Sequence, residues 1–190
     1  MNDYDDETPA REYYTAQEIC DLAVEWGASA TLRLDEGEVI IDLEREGTAD
    51  AIQLELGPAS EFYDDLICRS RLLVPSAPHR FCDRWNRFPY FAAFSVMYDD
   101  NDIPKTREFG FMVRAATILD FKTFRKRNDI FLEVMMFWFA MELLQDGVSR
   151  GADDIAVMRE RFRDGSFVTW WFGAQRSSND GDVPDDSSEG

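Results

Sequence analysis

Residues 29–44 read SATLRLDEGEVIIDLE, and their alternation decides the fold class. Ala30, Leu32 and Leu34 fall on one side of an extended chain, Ser29, Thr31 and Arg33 on the other. Asp35-Glu36-Gly37 supplies a short polar loop whose glycine takes positive φ without penalty. Beyond it Val39, Ile41 and Leu43 alternate with Glu38, Ile40, Asp42 and Glu44. The pattern predicts a hairpin with one core face and one wet face.

Working outward, the same period returns. Ile52, Leu54 and Leu56 point inward with Gln53 and Glu55 outward, and the run Leu66–Val74 alternates with Ile67, Arg69 and Arg71. Together these predict an antiparallel meander. Upstream, Thr15-Ala16-Gln17-Glu18 fits a capping box, Tyr14 and Ile19 hold the two positions of a hydrophobic staple, and Ile19, Leu22, Ala23 and Trp26 form a helical stripe that Gly27 terminates. Downstream, Pro75-Ser76-Ala77-Pro78 opens a second helix. Its apolar face is Phe81, Trp85 and Phe88, its basic face is Arg80, Arg84 and Arg87, and Pro89 stops it.

Two strands follow, Phe91–Tyr98 and Phe109–Ile118, joined by the polar loop DDNDIPKTRE. Both are apolar on both sides, which predicts central positions or cover by a second layer. The segment from Asn128 to Asp146 is a helix, apolar round its whole circumference apart from Asp129, Glu133, Glu142, Gln145 and Asp146. Such a helix needs burial on more than one side, and a second copy of the chain is the expected partner. Residues 152–163 carry an amphipathic pattern, and SFVTWWFG (166–173) reads as a short aromatic strand or docking segment. The expected organisation is a disordered acidic arm over 1–13, a domain over 14–148, a helical and aromatic extension over 149–176, and a disordered acidic tail over 177–190.

Charge narrows the function. The net charge of the 190 residues is −18, half of it in the two ends: residues 1–12 hold five acids and one arginine, and residues 177–190 five acids and no base. Such a chain is poorly suited to non-specific binding of nucleic acid or anionic membrane. Residues 130–144 are too short and too interrupted by Glu133 and Glu142 for a membrane crossing. MNDYDDETPARE has neither a basic nor an apolar leader region, so no signal peptide is expected and a cytoplasmic setting is. Cys20, Cys68 and Cys82 read as buried free thiols, without the spacing of a zinc site.

Catalytic signatures are sparse. His79, the single histidine, opens the second helix and reads as a solvated surface residue; no nucleophile elbow, phosphate-binding loop or dinucleotide fingerprint occurs. Asp100 and Asp102 match part of a calcium loop that Pro104 and a missing glycine break, so a polar turn is expected. No catalytic, metal or cofactor residue is assigned. Lys105, Arg107, Arg114, Lys122, Arg125, Lys126 and Arg127, with Arg80, Arg84 and Arg87, make a locally basic portion. It reads as an intramolecular offset to the acidic ends, with an acidic partner or nucleic acid as the alternative.

At the centre of the chain stands Cys82-Asp83-Arg84-Trp85-Asn86-Arg87, followed by an aromatic and alanine strand and an acidic turn. Over residues 15–147 this order resembles the YbjN-domain family of bacterial proteins, with Trp85, Asn86 and Arg87 at the family's signature. The resemblance implies an α+β fold of the type III secretion chaperone kind: helix, three to four antiparallel strands, helix, two strands and a long helix, with the helices on one side of the sheet. It also implies a non-enzymatic sensory-transduction regulator, small, acidic and homodimeric, that binds another protein. Asn86 is expected to bind backbone at the turn into the next strand. The candidate protein interface is Phe131, Met135, Trp138 and Met141 with Trp170 and Trp171. Alternatives are an enzyme with a carboxylate or metal site in the sheet cleft, and a nucleic-acid-binding regulator using the basic portion.

Overall fold

The computed structural model describes residues 11–46, 51–87, 92–107, 110–122, 127–151 and 160. The chain forms two compact units, Met1–Asp153 and Asp154–Gly190, and of the second only Glu160 is described. The expectations placed on 1–10, on 152–163 apart from Glu160, on the aromatic segment 166–173 with Trp170 and Trp171, and on the tail 177–190 lie outside the described residues.

Helix α1 (Ala16–Glu25) starts where the capping box puts it. The Glu18 amide donates to the Thr15 hydroxyl at 3.2 Å, and the Thr15 amide donates to Glu18 Oε2 at 2.9 Å. Its buried stripe is Ile19, Cys20, Leu22 and Ala23. Thr15→Ala is expected to cost about 1 kcal/mol in urea unfolding. The amide donated by Thr15 is the main reason the Glu18 carboxyl titrates below its ordinary 4.5. A depressed folded-state value stabilises the fold above the unfolded value, and that contribution is lost as pH falls through the folded one. Glu18→Gln is therefore expected to flatten the loss of stability below pH 4.5, read by thermal melts in steps of pH.

The meander follows as β1 (Ser29–Asp35), β2 (Glu38–Glu44), β3 (Ile52–Pro58) and β4 (Asp65–Val74). Then come α2 (Pro78–Trp85), β5 (Ala93–Val96), β6 (Thr106–Arg107), β7 (Gly110–Asp120) and α3 (Arg127–Ser149). The seven strands form one antiparallel sheet in the order β1-β2-β3-β4-β7-β5, with β6 also on β7. The α+β class, with helices against one side of an antiparallel sheet, is the one expected.

The pairing register separates the two faces. Ile41, Leu43, Ile52, Leu54, Leu66, Cys68, Leu72, Val113 and Ala115 are buried on the face that carries α1, α2 and α3. The opposite, open face carries Thr31, Asp42, Gln53, Arg69 and Ala116 in one row and Arg71, Arg114 and Ser95 in the next.

The expectation of central strands or cover by a second layer is met both ways. β7 is central, but β5 has four residues and lies at the sheet edge. Its apolar character comes from α2, whose Phe81 and Trp85 pack on Phe94 with ring centroids 5.8 and 6.1 Å apart. The acidic turn before β6 is built on Asp99, whose Oδ1 accepts from the Asn101 amide at 2.9 Å and the Ile103 amide at 3.0 Å. That arrangement uses the carboxylate to close the turn.

α3 lies against β4, β7 and α1. Phe131, Met135, Trp138 and Met141 are each no more than 3% exposed in the single chain, so they are core and not a docking surface. Of its polar residues, Glu142 faces the buried Arg45, whose pKa burial lowers and Glu142 pulls back up. Gln145 reaches β4, as described below. No helix among the described residues is long and apolar enough to cross a membrane.

Candidate functional site

A cleft of about 530 Å³ opens on the face of the sheet that the helices leave bare. Its floor runs from the β1–β2 hairpin to β7, and among the described residues the sheet has a gap beside the end of β4. Among the described residues β3 and β4 pair over Gln53–Arg69, Leu54–Cys68 and Glu55–Ile67, although β4 continues to Val74. Leu73 pairs with Met112 of β7, yet Met112 turns its amide to Lys105 and its carbonyl to the Met97 amide. Leu73 and Met112 are therefore a non-hydrogen-bonded pair, and the amide and carbonyl of Leu73 point into the gap. Gln145 of α3 satisfies both: the Leu73 amide donates to Gln145 Oε1 at 2.8 Å, and Gln145 Nε2 donates to the Leu73 carbonyl at 3.4 Å. The side-chain amide stands in for the missing strand neighbour.

The cleft is electrostatically divided. Toward β1–β3 its bases are matched by acids. Arg33 donates to Asp42 at 2.7 Å and to Asp35 at 2.6 Å, and Gln53 donates to the other Asp42 oxygen at 2.8 Å. Arg69 donates to the buried Glu55 at 2.9 Å. Toward β4, β6 and β7 this matching stops. Arg71, Arg114 and Arg107 line the cleft, are exposed, and form no ion pair among the described residues. Arg71 and Arg114 face each other directly across β4 and β7. Two steps along the ladder from Leu73–Met112, theirs is again a non-hydrogen-bonded pair, the closer-spaced kind. Like charges in such a pair repel.

The basic portion expected from the sequence is thus split. Arg107 and Arg114 face the cleft, whereas Arg80, Arg84 and Arg87 belong to α2 and its C-terminal turn, on the other side of the sheet. Lys122 pairs with Asp64 at 3.1 Å, residues 123–126 lie outside the described residues, and only the backbone of Arg127 is described. Arg71, which sequence reasoning placed only as an outward strand residue, completes the cluster through the β4–β7 register.

The signature residues form a corner. Trp85 is 2% exposed beneath β5, and Arg87 is exposed. Asn86 takes the outer backbone of β5 on both sides: its Nδ2 donates to the Phe94 carbonyl at 2.9 Å, and its Oδ1 accepts from the Phe94 amide at 2.7 Å. One edge of the sheet is thereby occupied by a side chain. The other edge, β1, has no strand neighbour outside it among the described residues, and exposes Leu32 (47%) and Leu34 (67%).

The three cysteines are free and buried, and burial raises all three thiol pKa values, that of Cys82 to about 11. His79 is exposed, with Nε2 3.3 Å from the Tyr98 hydroxyl. No group of side chains able to hold a metal ion occurs among the described residues. The chain matches no protein-family model and no curated protein.

Proposed function

We propose that this chain is a non-enzymatic, cytoplasmic, protein-binding regulator of the YbjN, chaperone-like kind, and that it acts as a homodimer joined along β1. The observation that carries this reading is the difference between the two sheet edges. Asn86 occupies the outer backbone of β5, while β1 is seven residues long and leaves Leu32 and Leu34 uncovered. An open edge with an apolar face is a template for another strand.

A second copy suits it. An antiparallel pair of β1 strands centred on Leu32 sets Leu32 against Leu32, Leu34 against Ala30, Arg33 against Thr31 and Asp35 against Ser29. The apolar side becomes continuous and no like charges meet. Centring on Arg33 would oppose two arginines, which disfavours that register. The reading moves the interface from α3, whose apolar residues the chain buries itself, to the sheet edge.

Sedimentation equilibrium at micromolar concentration is expected to give a species of twice 22.0 kDa. Leu32→Lys with Leu34→Lys is expected to return it to the monomer with unchanged circular dichroism, because both positions are surface positions in the single chain. A wild-type chain that stays monomeric at 100 μM (roughly the upper range of weak homodimers) overturns the homodimer.

A further inference from the structure

We infer that the basic end of the open-face cleft is a binding site for the phosphate group of a small phosphorylated ligand, with Arg71 and Arg114 as its principal contacts and Arg107 beside them. In a chain of net charge −18, acids are abundant, and of the neighbouring arginines Arg33 has two and Arg69 one. Among the described residues Arg71 and Arg114 have none, although they are set opposite each other in the closely spaced kind of antiparallel pair. This arrangement disfavours the empty protein and favours a guest with two negative charges, since each guanidinium offers a planar fork to oxygens of the same group.

The remainder of the cleft indicates what else the ligand carries. At 530 Å³ it exceeds a phosphate and falls in the range of small-molecule sites. Leu73 and Met112 give an apolar wall beside the arginines, Gln53 and Ile40 continue the floor on their other side, and Asp35, Glu36 and Glu38 form an acidic far rim. A ligand with its phosphate at the arginines reaches these carboxylates only by crossing three rows of the sheet, each about 6.6 Å, past Gln53 and Ile40; one long enough to do so ends where an ammonium or hydroxyl donor suits. The same rim repels a continuous phosphate backbone, so the site excludes nucleic acid. The inference is independent of the homodimer, because the paired arginines lie on β4 and β7, away from the β1 edge.

The experiment uses the full chain in chloride buffer at fixed ionic strength, with phosphoethanolamine and inorganic phosphate as probes, followed by calorimetry and thermal melts. Saturable 1:1 binding of both probes is expected, through the phosphate group they share. Arg71→Gln with Arg114→Gln is expected to weaken it about tenfold or more. Arg80→Gln removes the same charge from α2 and is expected to leave binding intact. A second readout separates a binding role from a structural one. Without phosphate, Arg71→Gln alone is expected to raise the melting temperature by about 1–3 °C by relieving the repulsion. Added phosphate then raises the melting temperature of the wild type and not of the variant. The inference is overturned if Arg71→Gln lowers the melting temperature in chloride, if the double variant binds as the wild type does, or if Arg80→Gln weakens binding equally. Equal binding of a single-stranded oligonucleotide would also sink it.

Discussion

Trp138→Ala is expected to destabilise the chain by about 3–5 kcal/mol, a large part of the stability of an ordinary domain. Trp138 is 1% exposed at the middle of α3, among Phe131, Val134, Met135 and Met141, all of them buried. Removing the indole forfeits its transfer free energy and leaves a cavity that neighbouring helix residues are not free to fill. Trp138→Phe is expected to behave differently. The indole Nε1 is buried and finds no partner among the described residues. An unsatisfied buried donor costs about 1–3 kcal/mol, so deleting it offsets much of the smaller cavity that Phe leaves. The comparison is best made by urea unfolding in the Leu32→Lys, Leu34→Lys background, which keeps association out of the measurement. A loss under about 1 kcal/mol for the alanine variant would place Trp138 outside the cooperative core. A loss for the phenylalanine variant equal to that for alanine would mean that Nε1 has an acceptor.

Apolar residues on every side of Asn128–Asp146 require burial on several sides, and the structure buries them. Composition does not name what covers the helix, and the expected second copy proves unnecessary to bury Phe131, Met135, Trp138 and Met141. The polar exceptions were the informative residues. Glu142 and Gln145 look like ordinary interruptions of an apolar run, yet one faces buried Arg45 and the other completes a broken sheet at Leu73. Both partners are remote in sequence, so no local period points to them.

Elements whose determinants are local were legible. Thr15 and Glu18 are three residues apart and cap each other's backbone, and the alternation in 29–44 sets both strands of the hairpin. The β5–β6–β7 region was less so. A run such as FAAFSV reads the same whether a strand lies in mid-sheet or at an edge under a helix, and β6 has only two residues. The arginine cleft was the least legible part. Counting bases along the chain joined Arg107 and Arg114 to residues of α2, whereas the pairing of Arg71 with Arg114 comes from a register set by the whole length of β4 and β7.

Asn86 gives the second large expected effect. Asn86→Ala removes the acceptor of the Phe94 amide and the donor to its carbonyl together, at an expected cost of about 2–3 kcal/mol. Asn86→Asp is the sharper test, because a carboxylate still accepts from the Phe94 amide but sets a negative oxygen against the Phe94 carbonyl in place of a donor. It is therefore expected to be no better than alanine, despite keeping size and one bond. Asn86→Gln retains both groups but moves them outward by one methylene, and is expected to recover only part of the loss. Urea unfolding followed by tryptophan fluorescence reads all three, since Trp85 lies directly beneath β5 and packs on Phe94. Losing the clip also exposes the outer backbone of β5, so the alanine variant is expected to self-associate beyond the state the wild type reaches at the same concentration. An aspartate variant as stable as the wild type would show that the Phe94 carbonyl needs no donor, and the closed edge would then have to come from the packing of Phe81 and Trp85 on Phe94 alone.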